Sequence, residues 1–532
     1  MTRTVQVVLS GIVLFFAFHV FAAESPRDPV PRFDIRGYTV EGNTLITPEK
    51  LEAVLAPFTG EGRQFGTVQE AIEALDRAYR DRGFSMVKVT LPEQEMKDGR
   101  IRIQIIENRV GKIQVTGHRF FDPQNIRDSL PGLREGEAPN VDSISRSLLL
   151  ANENPAKKIH LSLQKSDRAN EIDAKVAVRD EKPWRIGVTA DNTGSKETGR
   201  SRLGLLFQHA NVAGRDHLLT MQYITSPEKV DKVAIYSVGY RIPFYSLGSS
   251  IDFIGAHSNV NSGTITAPTY SIDVSGKGTA LGLHYNQNLT RIGNYEHKLM
   301  VGLDYRAYEN DVNFLGIQLG HDVTVHPLSL TYTGKWTFDL SRAGFYLTGL
   351  QNLPGSWDSR DEGADFERAR AGAPRGYSLL RYGANLSYVF PGDWQTRASM
   401  NGQYTNDPLV AGEQFGLGGT GSVRGLRERE IANDRGYAGS VEFYTPDLGR
   451  GLGFTAFESR LLVFYDRGSV SRRNALPGET KRTEAASVGP GIRITDGKRF
   501  SISADWGIVV DPPDENTSRG SGVWHLSASI LF

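Results

Sequence analysis

Apolar and polar residues alternate one by one along about the last two thirds of this 532-residue chain. After Pro183 the alternating runs are about ten residues long, and turn-rich segments separate them. A period of two predicts β-strands whose successive side chains point to opposite faces of a sheet. In one such run the apolar or aromatic positions are Tyr382, Ala384, Leu386, Tyr388 and Phe390, and the positions between them are Gly383, Asn385, Ser387 and Val389. The pattern favours a sheet with one apolar and one largely polar face.

Charged residues indicate which face meets water. In one run the charges Lys298, Asp304 and Arg306 share a face, and Leu299, Val301, Leu303 and Tyr305 occupy the other. In a membrane barrel the apolar face contacts lipid and the polar face lines a wet lumen. A mean hydropathy of -0.35, with no later run of about 18 apolar residues, excludes a helical membrane protein. We therefore predict a transmembrane antiparallel β-barrel.

Sixteen barrel strands are predicted from the alternation. Sixteen is an even number, as closed bacterial barrels require. The segments near 249 and 343 alternate weakly, so fourteen strands stay an alternative. The predicted starts lie near residues 185, 199, 215, 232, 249, 280, 296, 327, 343, 380, 395, 437, 459, 486, 500 and 524.

The N-terminus has the pattern of a secretory signal peptide. A basic Arg3 precedes a mainly apolar stretch, and Ala22 and Ala23 offer small residues for cleavage. We predict a signal peptide over 1–23 and a short, proline-containing linker over 24–32. The chain contains 61 basic and 61 acidic residues and no cysteine, so neither nucleic-acid binding nor a disulfide framework is expected.

Residues 33–182 have a different rhythm, in which strands and helices alternate. Val68, Ile72, Leu75 and Tyr79 recur at helical spacing and form one apolar stripe, which predicts an amphipathic helix. A segment at 112–117 echoes 39–43, so the pattern β-α-α-β-β occurs twice. We predict two α+β domains, at 33–109 and 110–182, ahead of a barrel at 183–532.

Two such units followed by a barrel resemble the polypeptide-transport-associated (POTRA) arm and pore of two-partner secretion transporters, the TpsB class. Three segments carry the resemblance within the arm and the first barrel hairpin: 98–103, 148–155 and 191–202. The resemblance covers essentially the whole mature chain. It implies a mainly β protein in the bacterial outer membrane, with both POTRA domains in the periplasm.

The most specific match is the sequence Val423, Arg424, Gly425 and Leu426, in a long segment at 405–436. It is similar to the loop motif that the superfamily inserts into the barrel lumen, although Leu426 stands where an aromatic residue is usual. The resemblance implies that Arg424 pairs with Asp466, and Phe464 and Asp466 fit the partner motif on the inner wall. With lumen water around it, such a pair is expected to contribute on the order of 1 kcal/mol.

Other chemistry finds little support in the sequence. Residues 416–421 match G-x-G-x-x-G, but alternating strands flank them rather than a βαβ unit, so we interpret them as a tight loop. Histidines are scattered without metal-ligand spacing, and no catalytic constellation occurs. We expect no enzyme activity, no cofactor and no metal.

The resemblance implies export of an unfolded secreted partner protein through the barrel without ATP. An extended chain could add to an exposed strand edge of the arm, and the candidate edge is Val87, Lys88, Val89, Thr90 and Leu91. Outer-membrane lipids and the barrel assembly machinery are the other expected partners. The alternatives are an outer-membrane protein assembly factor, a passive porin and an outer-membrane enzyme. Whether the exported protein is an adhesin, a haemolysin or a contact toxin stays open, and the short linker predicts that a plug helix is absent.

Overall fold

The computed structural model describes residues 31–532 except 261–263, 268–269, 274–276, 310–312, 315–316, 319–320, 356–359, 452 and 454–455. The predicted signal peptide and most of the predicted linker, with any plug helix there, lie outside the described residues. Within the described part of the chain, no helix is long and apolar enough to cross a membrane.

The first arm domain contains a three-stranded sheet with two helices. Its elements are β1 (Arg32–Ile35), β2 (Gly37–Glu41), α1 (Pro48–Leu55), a 3-10 turn (Ala56–Phe58), β3 (Gly60–Gln64), α2 (Phe65–Arg80), β4 (Val87–Thr90) and β5 (Arg100–Glu107). The sheet has the order β2-β5-β4, with β2 parallel and β4 antiparallel to β5. The β1–β3 pair is an addition to the predicted β-α-α-β-β pattern.

The second arm domain repeats the same plan. Its elements are β6 (Arg109–Thr116), α3 (Pro123–Asp128), α4 (Val141–Ala151), β7 (Lys157–Lys165) and β8 (Glu171–Asp180). The sheet order β6-β8-β7 matches that of the first domain. The first domain is a compact unit of its own, whereas the second domain and the barrel together form another.

Both domains have the same two features in the loop after the first strand of the three-stranded sheet, which is β2 in the first domain and β6 in the second. Gly42 and Gly117 each have φ +83°, and an added Cβ would lie 2.3 and 2.4 Å from a carbonyl oxygen of the last strand. In each domain a carboxylate at the end of the last strand, β5 or β8, then binds this loop after the first strand. Glu107 accepts from the Thr44 and Leu45 N–H groups, and Asp180 accepts from three consecutive N–H groups after β6. Burial raises the pKa of Asp180, but these donors outweigh it and hold the pKa below its usual value.

The barrel region holds the remaining elements. In chain order they are β9 (Trp184–Asp191), β10 (Arg202–Val212), β11 (His217–Thr225), β12 (Ala234–Phe244), β13 (Ser249–Ser258), β14 (Thr264–Ala267), β15 (Tyr270–Asp273), β16 (Lys277–Asn288), β17 (Tyr295–Glu309), β18 (Asn313–Phe314), β19 (Ile317–Gln318), β20 (Val323–Val325), β21 (Pro327–Thr337), β22 (Ser341–Asn352), α5 (Gly363–Ala369), β23 (Ser378–Val389), β24 (Gln395–Tyr404), a 3-10 turn (Ala411–Glu413), β25 (Phe415–Leu417), β26 (Ile431–Asn433), β27 (Arg435–Tyr444), α6 (Leu448–Gly451), β28 (Glu458–Ser471), β29 (Arg482–Thr495), β30 (Phe500–Asp511) and β31 (Gly522–Leu531).

The wall is a closed antiparallel barrel, which confirms the predicted fold class. Three short hairpins, β14–β15, β18–β19 and β25–β26, pair only within themselves. Counting β20 and β21 as one strand interrupted at His326, the described wall has sixteen strands, and β31 closes it against β9. The sixteen predicted starts lie within four residues of the observed ones, and the largest differences are at Val323 and Arg482. The predicted domain limits stay a prediction.

Burial follows the predicted alternation. On β28, Val463 and Tyr465 are exposed on the outer surface, whereas Phe464 and Asp466 are buried inside. The charges predicted to line a wet lumen have a more specific role. Lys298 binds the second arm domain, and Asp304 and Arg306 belong to a buried cluster. These contacts are described below.

The loop after β2 provides a test of the first arm domain. Gly42→Ala puts a methyl group against the Ile105 carbonyl at φ +83°, and should lower the free energy of unfolding by about 2–4 kcal/mol. Gly62→Ala is the matched control, because Gly62 also has positive φ but no atom within 4 Å of the added Cβ. It should cost only about 1 kcal/mol. Urea unfolding of residues 31–107 measures both, and equal losses would contradict the close-approach explanation.

Candidate functional site

A loop between β24 and β27 carries the predicted lumen motif. It contains the 3-10 turn, the β25–β26 hairpin and Arg424, and it packs on inward-facing residues of the wall. Two of its glycines, Gly418 and Gly419, have positive φ, and an added Cβ at either would lie 2.2 Å or less from Arg427 or Glu428 atoms. The G-x-G-x-x-G match therefore belongs to a tightly folded loop. We call residues 405–434 the lumen loop.

Arg424 is bound by a cluster of carboxylates on the inner wall. Its Nε and Nη2 lie 2.9 and 2.7 Å from the two oxygens of Asp466, in a bidentate pair. Its Nη1 lies 2.7 Å from Glu442 and 3.7 Å from Asp505. Its Nη2 also donates to Ser440 at 2.9 Å. The structure therefore brings Arg424 and Asp466 together and adds two acidic neighbours.

The neighbours of Arg424 complete its surroundings. The Phe464 ring lies under the guanidinium, 3.4 Å from its centroid to the Arg424 Cζ, in a cation–π contact. The Arg424 carbonyl accepts from His525 Nε2 at 2.8 Å. Gly425 packs so closely on the wall that an added Cβ would lie 2.8 Å from Ser487. Phe464 of the partner motif thus contacts Arg424 directly, while Leu426 lies in a buried apolar cluster.

Water does not screen this pair as expected from the sequence. Arg424 is 2% exposed and Asp466 0%. An apolar cluster closes over them, formed by Leu417, Val423, Leu426, Ala438, Val470, Ala485 and Val509. The premise that lumen water screens the pair is therefore wrong, whereas the net contribution of the pair to stability stays a prediction. Removing one partner of a buried pair costs about 3–5 kcal/mol, because a charge is left buried alone.

A second anchor of the lumen loop was not predicted from the sequence. The Glu413 side chain is fully buried and lies 3.0 Å from Arg306 and 3.3 Å from Arg381. It also accepts from the Tyr308 hydroxyl at 2.7 Å. Arg306 and Tyr308 share one strand, β17, and Arg381 lies on β23. The lumen-facing charge of Arg306 was the available signal, but its partner Glu413 lies over 100 residues away in sequence.

An apolar cluster lies at the outer end of the lumen beside Glu413. The start of the lumen loop meets the segment that contains α5, between β22 and β23. The buried members are Tyr308, Val323, Val325, Leu350, Phe366, Ala373, Tyr377, Leu379, Leu409 and Val410. We call this cluster the outer seal, because two inter-strand segments pack together there against β17, β20, β22 and β23 of the wall.

The second arm domain docks on the inner end of the barrel. Lys157 and Asp216 form a fully buried ion pair, which Tyr245 joins through its hydroxyl. Burial lowers the pKa of Lys157, although Asp216 opposes that shift. Asn154 donates to the Ala210 carbonyl at 2.7 Å. These contacts hold the start of β7 against the turn between β10 and β11.

A second group of contacts involves Glu153, in the 148–155 segment. It lies 3.0 Å from Arg241 and 2.6 Å from Lys298, both on the inner wall. Burial raises the pKa of Glu153, but Lys298 and Arg241 together hold the pKa below its usual value. This segment therefore joins the arm to the wall.

The candidate partner-binding edge lies in the first arm domain. Val87, Lys88, Val89 and Thr90 form β4, and Leu91 follows it. β4 pairs with β5 on one side, and in the described residues it is one of the two outer strands of its sheet, β2 being the other. Val87 is buried and Lys88 exposed. The role of this edge and of the loop residues stays a prediction.

Comparison with known proteins places the chain in a family. Residues 170–494 match the model described as haemolysin secretion/activation protein ShlB/FhaC/HecB. The chain belongs to this family. Residues 33–108 also match a POTRA domain of the ShlB type. The protein is thus an outer-membrane transporter of the TpsB class in two-partner secretion, with its POTRA domains in the periplasm.

Individual relatives are distant but cover most of the chain. The heme/hemopexin transporter protein HuxB of Haemophilus influenzae is 21% identical over 90% of this chain and 83% of its own. The outer membrane transporter CdiB of Escherichia coli O6:K15:H31 is 23% identical over 76% of this chain and 68% of its own. The solved structure of CdiB from Escherichia coli has a TM-score of 0.71 and 18% identity, covering 96% of this chain and 93% of that one. That likeness supports the fold.

The Arg424 cluster should matter for export rather than for insertion. Arg424→Ala leaves Asp466 buried without its partner, a loss of about 3–5 kcal/mol in loop docking, whereas strand pairing holds the barrel. Export should fall strongly while heat-modifiable migration on gels is unchanged. Asp466→Ala should act alike, and the double variant should be little worse than either. Arg427→Ala, at an exposed position of the same loop, is the control.

Clearly additive defects in the double variant would refute a direct pair. Exchanging the charges, Arg424→Asp with Asp466→Arg, should not restore export. The new carboxylate at 424 would face Glu442 and Asp505, which already lie within 4 Å of the Arg424 guanidinium.

Glu413→Gln tests the second anchor. Glutamine has the size of glutamate but removes the charge that faces Arg306 and Arg381, so the start of the lumen loop should loosen. We expect single-channel conductance in planar bilayers to rise a few-fold, with Arg424 still bound. Glu430→Gln, exposed in the same loop, should leave conductance unchanged. Identical conductance of both variants would exclude Glu413 as an anchor.

Proposed function

We propose that this transporter recognises an unfolded secreted partner through its first POTRA domain and passes it through the barrel lumen without ATP. The free outer edge of β4 is the observation that carries the proposal. A strand edge presents main-chain N–H and C=O groups, which an extended polypeptide can pair with regardless of most of its side chains.

The character of β4 supports strand addition. The strand is four residues long and exposes Lys88, which limits pairing with other folded sheets. β7, the outer strand of the second domain, begins at Lys157, whose side chain is buried against the barrel. The first domain is therefore the better receiver of an incoming chain.

Transport without ATP fits the compartment. The periplasm offers no nucleotide supply, and the loop that matches a nucleotide motif is folded around Arg424 instead. We propose that folding of the partner outside the cell prevents its return and so drives net export. The names of HuxB and CdiB describe transporters, and the partner of this chain stays open among adhesin, haemolysin and contact toxin.

The outer surface supports contact with the two remaining expected partners, which are outer-membrane lipids and the barrel assembly machinery. Aromatic side chains such as the stacked Trp506 and Trp524 are exposed there, as expected for contact with outer-membrane lipid. The terminal Phe532 is 66% exposed. We propose that it marks the last strand for the barrel assembly machinery.

Reconstitution in nucleotide-free liposomes tests the proposal. The partner, added unfolded, should cross into the vesicles and become protected from protease. N–H groups of successive residues in a strand point to alternate sides. Of Lys88→Pro and Val89→Pro, one should therefore abolish partner binding while the domain stays folded, and the other should destabilise the domain. Lys50→Pro, on α1, should destabilise without acting on the edge.

Lys88→Pro and Val89→Pro are tested one at a time. If the variant that stays folded still binds the partner fully, recognition at β4 is contradicted. A strict requirement for added nucleotide would contradict ATP-independent export. The two results are separable, because binding is measured with the partner's N-terminal segment alone.

A further inference from the structure

We propose that the exported polypeptide travels along one particular part of the inner wall, formed by β22, β23 and β24. The proposal rests on the proposed function and specifies the site within the lumen that binds the passing chain. It follows from which parts of the wall other segments of the protein already cover.

The lumen loop covers the neighbouring part of the wall, from β27 to β31, and β27 pairs directly with β24. It also reaches β23 and β24 near Glu413, where it bonds to Arg381 and Gln403. Arg424 binds Ser440 and Glu442 on β27 and Asp466 on β28. Beyond them, Gly425 packs on β29 and β30, and the Arg424 carbonyl binds β31. An added Cβ on Gly507 of β30 would lie 2.1 Å from that carbonyl. Backbone and wall are in direct contact there, so a polypeptide cannot pass between them at mid-lumen.

The second arm domain covers another part at the inner end. Its bonds to the wall fall on β10 at Ala210, on β12 at Arg241, and on β16 and β17 at Asn288 and Lys298. An incoming chain meets these strands only behind the docked domain. The wall from β22 to β24 lies between these two covered regions in the strand order.

Along the inner part of β22 to β24 the lumen is open, whereas near Glu413 and the outer seal other segments cover these strands. A cavity of about 600 Å³ lies at the inner end, and its lining includes Arg342, Asn385, Ser387, Arg397 and Ser399. A second cavity, of about 230 Å³, separates the same strands from the lumen loop. Its lining includes Tyr346, Arg381, Asn401 and Gln403. Together they follow the strands from the periplasmic mouth to the level of Glu413.

The lining indicates what binds there. The inward-facing side chains of these strands carry amide, hydroxyl and guanidinium groups, and Arg342, Asn385, Arg397 and Ser399 are all exposed. Such groups can donate to backbone carbonyls and side chains of an extended chain without requiring one sequence. The site fits an unfolded polypeptide held by exchangeable hydrogen bonds, and Phe338 and Leu340 at the inner end add apolar contacts. Weak, repeated contacts of this kind permit movement.

Cross-linking in the full-length transporter tests the path, and the absence of native cysteine makes single-site labelling possible. Asn385→Cys places a label on the proposed path. Leu386→Cys is next to it, on the lipid-facing side, and is 48% exposed. Ser503→Cys lies on β30, on the same face as Asp505 and so towards the lumen, on a strand that the lumen loop contacts further along at Gly507 and Val509. Each variant is labelled with benzophenone maleimide and given a partner that stalls because of a folded C-terminal fusion.

We expect adducts at 385 at least about tenfold more abundant than at 503, reflecting local concentration, and none at 386. Equal adducts at 385 and 503, or a preference for 503, would overturn the path and leave the proposed function standing. Export with no adduct at either lumen position would overturn passage through the barrel itself. Heat-modifiable migration verifies that each variant is folded.

A second measurement does not depend on labelling. Asn385→Trp should narrow the open strip and slow export several-fold, whereas Leu386→Trp adds an aromatic to the lipid surface and should leave export unchanged. Equal export rates for the two tryptophan variants would also overturn the proposed path.

Discussion

The fold depends on one constraint: inside a lipid bilayer every main-chain hydrogen bond must be made within the protein. The barrel meets it by closing β31 against β9, so that the described wall has no open edge. Closure has a consequence for function. Every part that blocks or guides transport has to be folded back into the lumen or docked at its ends. The buried clusters around Arg424, Glu413 and Glu153 are the places where such parts are held.

Those clusters share a physical design. Each places charged side chains of the inner wall against an opposite charge carried by a segment that enters the lumen or its mouth. A charge on the wall would be solvated if the segment withdrew, so docking exchanges water for a protein partner. The net free energy of such an exchange is smaller than its gross interactions. Segments held this way can be specific in position without being permanently fixed.

Much of the fold could be predicted because the alternation is a local signal. It located strand starts within four residues, including those at Ser249 and Ser341, where the pattern was weak. The Arg424–Asp466 pair was accessible through the motif and through the inward parity of Asp466. The role of Glu413 could not be predicted, because nothing near it in sequence distinguishes a buried carboxylate from an exposed one. The docking of Lys157 on Asp216 likewise joins residues that only the tertiary fold brings together.

The contacts that hold the second arm domain and the lumen loop have a mechanical consequence for the pore. Buried ion pairs join this domain to the barrel at Lys157 with Asp216 and at Glu153 with Arg241 and Lys298, so the inner mouth is held by the same kind of contact as the lumen loop. The outer seal combines apolar packing with a buried ion pair between Arg370, which follows α5, and Asp434, at the end of the lumen loop. Both ends of the lumen are therefore held by buried ion pairs. Opening the outer end has to separate charged as well as apolar contacts, and the carboxylate it uncovers then needs water or a new partner.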